Sequence, residues 1–198
     1  MAGVKTDTAA EMLRLSVDYG VDLQSRKVFL HGHMEDSDSP GESYVEKVTK
    51  SLLFLDKTDG DIELWINSPG GYLIEMFGLY DIITTRKNKV ITIGFGEIAS
   101  AAGLILACGD ERRVMENAFF MTHESASEIE GPKSLVDAKM AQWEREQNQW
   151  AILMSRHTKH TKSWWLNIWK NKQEAWFNSK EMLKHGLVDS IIPRNIPS

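Results

Sequence analysis

The sequence predicts an α/β layered fold built on parallel strands. Strand-like and helix-like patterns alternate along the chain, and two strand-like runs empty into turns of small residues that lead into helices. No repeat, low-complexity tract or Pro/Ser-rich linker divides the 198 residues, so one domain is expected over about residues 27–192. Residues 1–26 read as an N-terminal arm with a short helix around Ala9–Leu15, and residues 193–198 as a C-terminal tail.

Each element has a local reason. Lys27–Leu30 is a β-prone run that meets Gly32. After the turn-rich stretch 36–41, Ser43 and Glu46 have the spacing of a capping box, opening a helix with Val45, Val48, Leu52 and Leu55 on one face. Ile62, Leu64 and Ile66 alternate with Asp61, Glu63 and Trp65 in a strand that runs into Ser68-Pro69-Gly70-Gly71. Helix follows over Leu73–Thr85, strand over Val90–Gly94, helix over Leu104–Cys108 and strand over Arg113–Met121. A long helix is expected over about Ser134–His157, where Val136, Met140, Trp143, Trp150 and Met154 recur at helical steps. Lys180–His185 reads as a short helix stopped by Gly186 in the left-handed position, and Leu187–Ile192 as a last strand.

Composition narrows the function classes. With 42% hydrophobic and 26% charged residues the chain is ordinary globular material. A net charge of −5 carries no electrostatic footprint for nucleic acid. The one cysteine, Cys108, excludes an intramolecular disulfide and thiolate-cluster zinc sites. The longest apolar run, Ile98–Cys108, is eleven residues against the ~20 of a membrane span, and the N-terminus lacks a secretory pattern. A cytoplasmic protein is expected, with no membrane partner.

In α/β folds, sites gather where strands end and helices begin. Two turns meet that criterion, Ser68–Gly71 and Gly94–Gly103. Within the second, Ser100 sits at a helix start, where free N–H groups favour developing negative charge; a plain helix N-cap is the commoner use of such a serine. Ser68–Gly71 can be a structural turn, or a turn that aims a backbone N–H into a cleft. His123 closes a strand-like run, within range of a base for Ser100. His157, His160 and His185 lie at helix C-termini, where a cationic side chain is favoured. His31 and His33 share a strand face, but no third metal ligand accompanies them.

Four segments in order, Ile66–Gly71, Gly96–Gly103, Met121–His123 and Gly186–Ile191, resemble the successive signatures of the caseinolytic protease proteolytic subunit (ClpP) family. The thirty residues from Gly70 to Ser100 fit that pattern, and the likeness extends from about Lys27 to Ile192. The resemblance implies stacked βαβ units of the ClpP/crotonase type, with the helix at about 134–157 projecting as a handle. It implies a serine endopeptidase with Ser100 as nucleophile and His123 as general base. Glu174 matches the third triad position, where the family has aspartate, and Asn171 is the fallback. Gly70, Gly71 and Ala101 match the oxyanion and substrate-binding positions. No metal or other cofactor is called for.

The resemblance further implies a homo-oligomer: heptameric rings, stacked in pairs, enclosing a chamber fed by an AAA+ unfoldase that supplies the ATP chemistry. This chain has no phosphate-binding loop motif of its own. Departures are visible. Residues 124–131 replace a proline and paired glycines that bind substrate backbone in the family, and Trp164, Trp165 and Trp169 have no family counterpart. The tryptophans would be an exposed interaction patch or the inner face of an inserted helix. Two other functions stay open at this point: a non-catalytic ring subunit or scaffold, and a crotonase-like acyl-CoA enzyme. A peptidase specialised for processing, such as one that matures a viral shell, is a variant of the first reading.

Overall fold

A computed structural model describes residues 14, 16, 18, 20–34, 43–125, 129–171 and 174–194. Most of the expected helix at Ala9–Leu15 and the end of the tail lie outside the described residues. The described chain runs β1 (Val21–Asp22), β2 (Lys27–His31), α1 (Tyr44–Leu55), β3 (Ile62–Ser68), α2 (Leu73–Thr85), β4 (Val90–Ala99), α3 (Ala101–Ala107) and β5 (Glu111–Met115). It continues as β6 (Phe119–His123), α4 (Lys133–His157), α5 (Lys162–Asn171), β7 (Glu174–Asn178), α6 (Ser179–His185) and β8 (Ser190–Ile192).

The α/β expectation holds. The sheet order is β1-β2-β3-β4-β5-β8, with β6 joining β4 and β7 off that path. Pairing is parallel from β2 through β8 and between β4 and β6, and antiparallel for β1–β2 and β6–β7. β1 lies ahead of Lys27, within the segment read as an arm, because buried Val21 pairs with Val28. Alternation along β3 buries Ile62, Leu64, Ile66 and Ser68, as its sequence pattern requires. α1 buries Val45, Val48, Leu52 and Leu55, and the Ser43 side chain accepts the Glu46 N–H at its start.

Three boundaries differ from the sequence expectation, each for a local reason. β4 does not stop at Gly94. It kinks at Gly96 (φ 63°), where Asn67 Oδ1 accepts the Glu97 N–H, and then continues as Glu97–Ala99 against β6. A bulge of this kind swings one strand from one neighbour to another: β4 pairs with β5 over Ile91–Gly94 and with β6 beyond the kink. α3 accordingly begins at Ala101. The expected strand over Arg113–Met121 is two strands, β5 and β6. The last strand is shortened to Ser190–Ile192 because Asp189 is taken up by Arg112, bonding both its backbone N–H and its guanidinium. The same guanidinium donates to the carbonyls of Gly186 and His157, tying β5 to the ends of α4 and α6 and holding the Asp189 carboxyl below its ordinary range.

α4 matches the expected long helix to within a residue. Only its C-terminal half is packed, through Trp150, Ala151, Leu153 and Met154; the N-terminal half stands largely clear of the body. α5 resolves the tryptophan question toward the core. Trp165 is 0% exposed, edge-on to Trp150 and Phe120, with its Nε1 donating to Thr158 Oγ1.

The helix-end histidines are not cationic caps. His157 Nε2 meets Tyr80 Oη at 2.9 Å, and His160 Nε2 meets His185 Nδ1 at 2.7 Å, with His160 stacked on Trp164. Burial, seconded by Arg112 for His157 and by the facing imidazole for His160, lowers the pKa of both; burial likewise lowers that of His185, ahead of Lys184. The unfolded chain therefore takes up protons at these rings from about pH 6.5 downward, before the folded protein does. Stability conferred by the neutral rings is present above that pH and lost as pH falls toward the depressed folded values. Melting temperature is expected to drop between pH 7 and 5, and His160→Gln to flatten that slope. An identical slope in the variant would remove the pair from the account.

Candidate active site

The bend at Gly96 brings the end of β4 to the mouth of the sheet and turns it sharply into α3. Ser100 occupies that turn with φ 54° and ψ −120°, a conformation that L-residues rarely adopt. Its backbone N–H donates to Met121 O at 2.7 Å, which locks the turn to β6. As the residue before α3 it could cap the helix, yet its side chain makes no cap hydrogen bond. The hydroxyl instead lies 3.0 Å from His123 Nε2. His123 is delivered by the parallel pairing of Ala99 with Met121, two residues from the ring.

The Ser68–Gly71 turn abuts this elbow. A β-carbon on Gly70 would come within 2.6 Å of Ala99 O and 2.9 Å of Ala101 N, and one on Gly71 within 2.1 Å of Met34 O. With φ of 93° and 152°, both positions suit glycine alone. Ser68 is buried and fixes the turn, its Oγ donating to Gly32 O and accepting the Gly70 N–H. Met34 brackets the next residues, donating to Gly70 O and accepting from Tyr72 N–H. A groove lined by His33, Gly70, Gly71, Tyr72, Ser100 and His123 runs across the surface here.

Of the expected acids, Glu174 stands directly opposite His123 in the β6–β7 ladder. Cross-strand neighbours of this kind have Cβ atoms about 5 Å apart, yet among the described residues the hydrogen bond of the Glu174 carboxylate goes to Trp176 and not to the ring. Its Oε2 accepts the Trp176 Nε1 hydrogen at 3.0 Å. Asn171 ends α5, and its side chain lies outside the described residues. The strand β7 itself went unread in the sequence, since Ala175-Trp176-Phe177 is too short a run to identify without its partner β6.

Beside the pair, a narrow pocket opens between β6, α4 and α5. Its walls include Leu73, Thr122, Ser125, Gln147, Trp150 and Trp169. Gln147 drew no notice in the sequence, and Trp169 drew notice only within its tryptophan cluster, because they lie 24 and 46 residues beyond His123, on helices whose packing decides which side faces inward. The only hint was the helical spacing of Gln147 with Trp143 and Trp150. Cys108 is no competing nucleophile: at the C-terminal cap of α3, burial pushes its thiol up to about 12.

A serine hydroxyl held on a strained strand-to-helix turn, within hydrogen-bond reach of an imidazole, is the arrangement of hydrolases that work through an activated serine. A family model described as Clp protease matches residues 11–195. The ATP-dependent Clp protease proteolytic subunit of Carsonella ruddii (strain PV) is 29% identical over 178 residues, covering 88% of this chain and 87% of that protein. Subunit 1 of Streptomyces coelicolor is 31% identical, covering 86% of this chain and 75% of its own, and subunit 2 of Pseudomonas aeruginosa is 30% identical, covering 86% and 82%. The chain belongs to the Clp protease family.

Proposed function

We propose that the protein is a serine endopeptidase of this family, hydrolysing peptide bonds at the Ser100–His123 pair. The observation that carries the reading is the 3.0 Å Oγ···Nε2 contact made by a serine in a strained turn with no capping duty. Ser100 Oγ attacks the peptide carbonyl carbon while His123 Nε2 takes the hydroxyl proton. The resulting oxyanion is received by the backbone N–H groups of Gly71 and Ala101, with Gly70 keeping the turn close to the elbow; such donors are typically worth about 3–4 kcal/mol each. The C–N bond then breaks, His123 returns the proton to the leaving amine, and an acyl ester remains on Ser100. Water repeats the sequence: His123 takes its proton, the acid leaves, and the serine regains its hydrogen.

Glu174 is the proposed orienting acid, its carboxylate, one carbon longer than that of aspartate, exchanging Trp176 for His123 Nδ1 in the working state. An acyl-CoA enzyme would need neither the strained serine nor its imidazole, so the site favours hydrolysis over that reading, and an intact pair favours it over a non-catalytic scaffold. The family's relatives, named as ATP-dependent proteolytic subunits, support a homo-oligomeric ring chamber served by a separate AAA+ unfoldase. In a cytoplasm, such enclosure would protect folded proteins from an open hydrolytic site.

The test is a fluorophosphonate probe with native mass measurement. Stoichiometric labelling at Ser100 on a multimer of seven or fourteen chains is expected, with kcat falling in Glu174→Gln. Absence of labelling on a well-formed oligomer would support the scaffold; a kcat loss confined to Asn171→Ala would move the orienting role to that residue.

A further inference from the structure

The pocket beside Ser100 contains two polar atoms with no hydrogen-bond partner among the described residues. Gln147, only 7% exposed on the inward face of α4, has its Oε1 buried and unpartnered, and the Ser125 hydroxyl is buried and unpartnered as well. Both line the same pocket as Ser100 and His123. The neighbouring donors are already committed: Trp169 Nε1 to Thr122 Oγ1 at 3.1 Å, and Trp143 Nε1 to the Ser125 carbonyl at 3.1 Å. Buried polar atoms in folded proteins are nearly always satisfied, and pairs of exceptions facing one cavity point to something that arrives from outside.

Resting on the peptidase reading, we propose that Gln147 and Ser125 are specificity-determining residues, and that the pocket selects a small, neutral, hydrogen-bonding side chain, of the asparagine or serine class, on the substrate residue whose carbonyl Ser100 attacks. Position decides which substrate residue is read, because the pocket opens beside the hydroxyl and the imidazole. Size follows from the narrow inner end of the pocket, which has room for about one water-sized group, so only the polar tip of a short side chain can enter it. Neutrality follows from the lining, which includes no Lys, Arg, Asp or Glu. The need for a donor follows from Gln147 Oε1, an acceptor only, while the Ser125 hydroxyl can give or take. A leucine side chain would find apolar contact on Leu73, Trp150 and Trp169, yet would seal both polar atoms away from any partner. Sites that hydrogen-bond a substrate group discriminate strongly against analogues that lack it.

The experiment compares kcat/KM for fluorogenic peptides carrying Asn, Ser, Leu or Glu at that residue, each rate normalised to the fraction of Ser100 labelled by a fluorophosphonate. The wild type is expected to favour Asn or Ser over Leu by about tenfold or more, and Gln147→Leu, similar in size, to reverse the order; Ser125→Ala should narrow the ratio. A labelled wild-type enzyme that prefers Leu overturns the inference with no variant needed, as does a ratio unmoved in Gln147→Leu. Failure of the wild type to label at all would instead strike the peptidase reading beneath it.

Discussion

Ser100→Ala is expected to lower kcat for peptide hydrolysis by on the order of 10⁴–10⁶ and to abolish fluorophosphonate labelling, while leaving the fold intact. The size of the loss follows from the way a nucleophile and its base act as one unit: without the hydroxyl, His123 has no proton to take, and only substrate binding and oxyanion donors remain. Folding should survive because the hydroxyl makes no cap bond and its hydrogen bond is to the part-buried His123 ring of the site itself. The backbone supplies an internal control. At φ 54° and ψ −120° a β-carbon is strained, at a cost of about 1–3 kcal/mol. Ser100→Gly, equally inactive, is therefore expected to melt several degrees above Ser100→Ala. Calorimetry of the two variants checks the strain; progress curves check the chemistry. Hydrolysis retained in both would remove Ser100 from the mechanism.

Trp165→Ala carries the largest expected cost in stability. The indole is fully buried among Trp150, Phe120, Trp164 and Phe177, and its removal also strands Thr158 Oγ1 without its donor. Truncations of this kind cost about 3–5 kcal/mol. At roughly 2–4 °C per kcal/mol for a chain of this size, the melting temperature should fall by about 6–20 °C. The loss would also reach the site, because Trp165 backs α5, which carries Trp169 into the pocket, and packs against α4, which carries Gln147. Higher KM should accompany the lower melting point. A shift under about 2 °C would mean that the α4–α5 contact repacks around the void.

These two sites were legible in the sequence to different degrees. Ser100, His123 and the Gly70-Gly71 turn stood out by local chemistry (small residues at a sharp turn, a polar residue at a strand end, paired glycines), while the roles expected of them came from the resemblance of four ordered segments. The tryptophan cluster was ambiguous, since helical periodicity states that one face is apolar without stating what covers it. Trp165 proved to be core, whereas Trp169, four residues on, became part of the pocket wall.

The histidines show the same division. Their places at helix ends suggested cationic caps, yet contacts across 25 and 77 residues made His160, His185 and His157 members of partly buried pairs. Asp189, part of a recognisable signature, turned out to serve the framework by engaging Arg112. No local pattern could have announced that.

Alone, then, the amino-acid order determined the alternation of strand and helix, the glycines at the two turns, and a serine and a histidine at a helix start and a strand end, because these follow from backbone sterics and from periodicities of two and 3.6 residues. Tertiary structure alone decided where β4 changes neighbours, that β7 sets Glu174 opposite His123, and that Gln147 and Ser125 share a pocket with Ser100. Those outcomes depend on strand pairing and helix packing between residues far apart in the chain, and each is settled by which apolar faces cover one another.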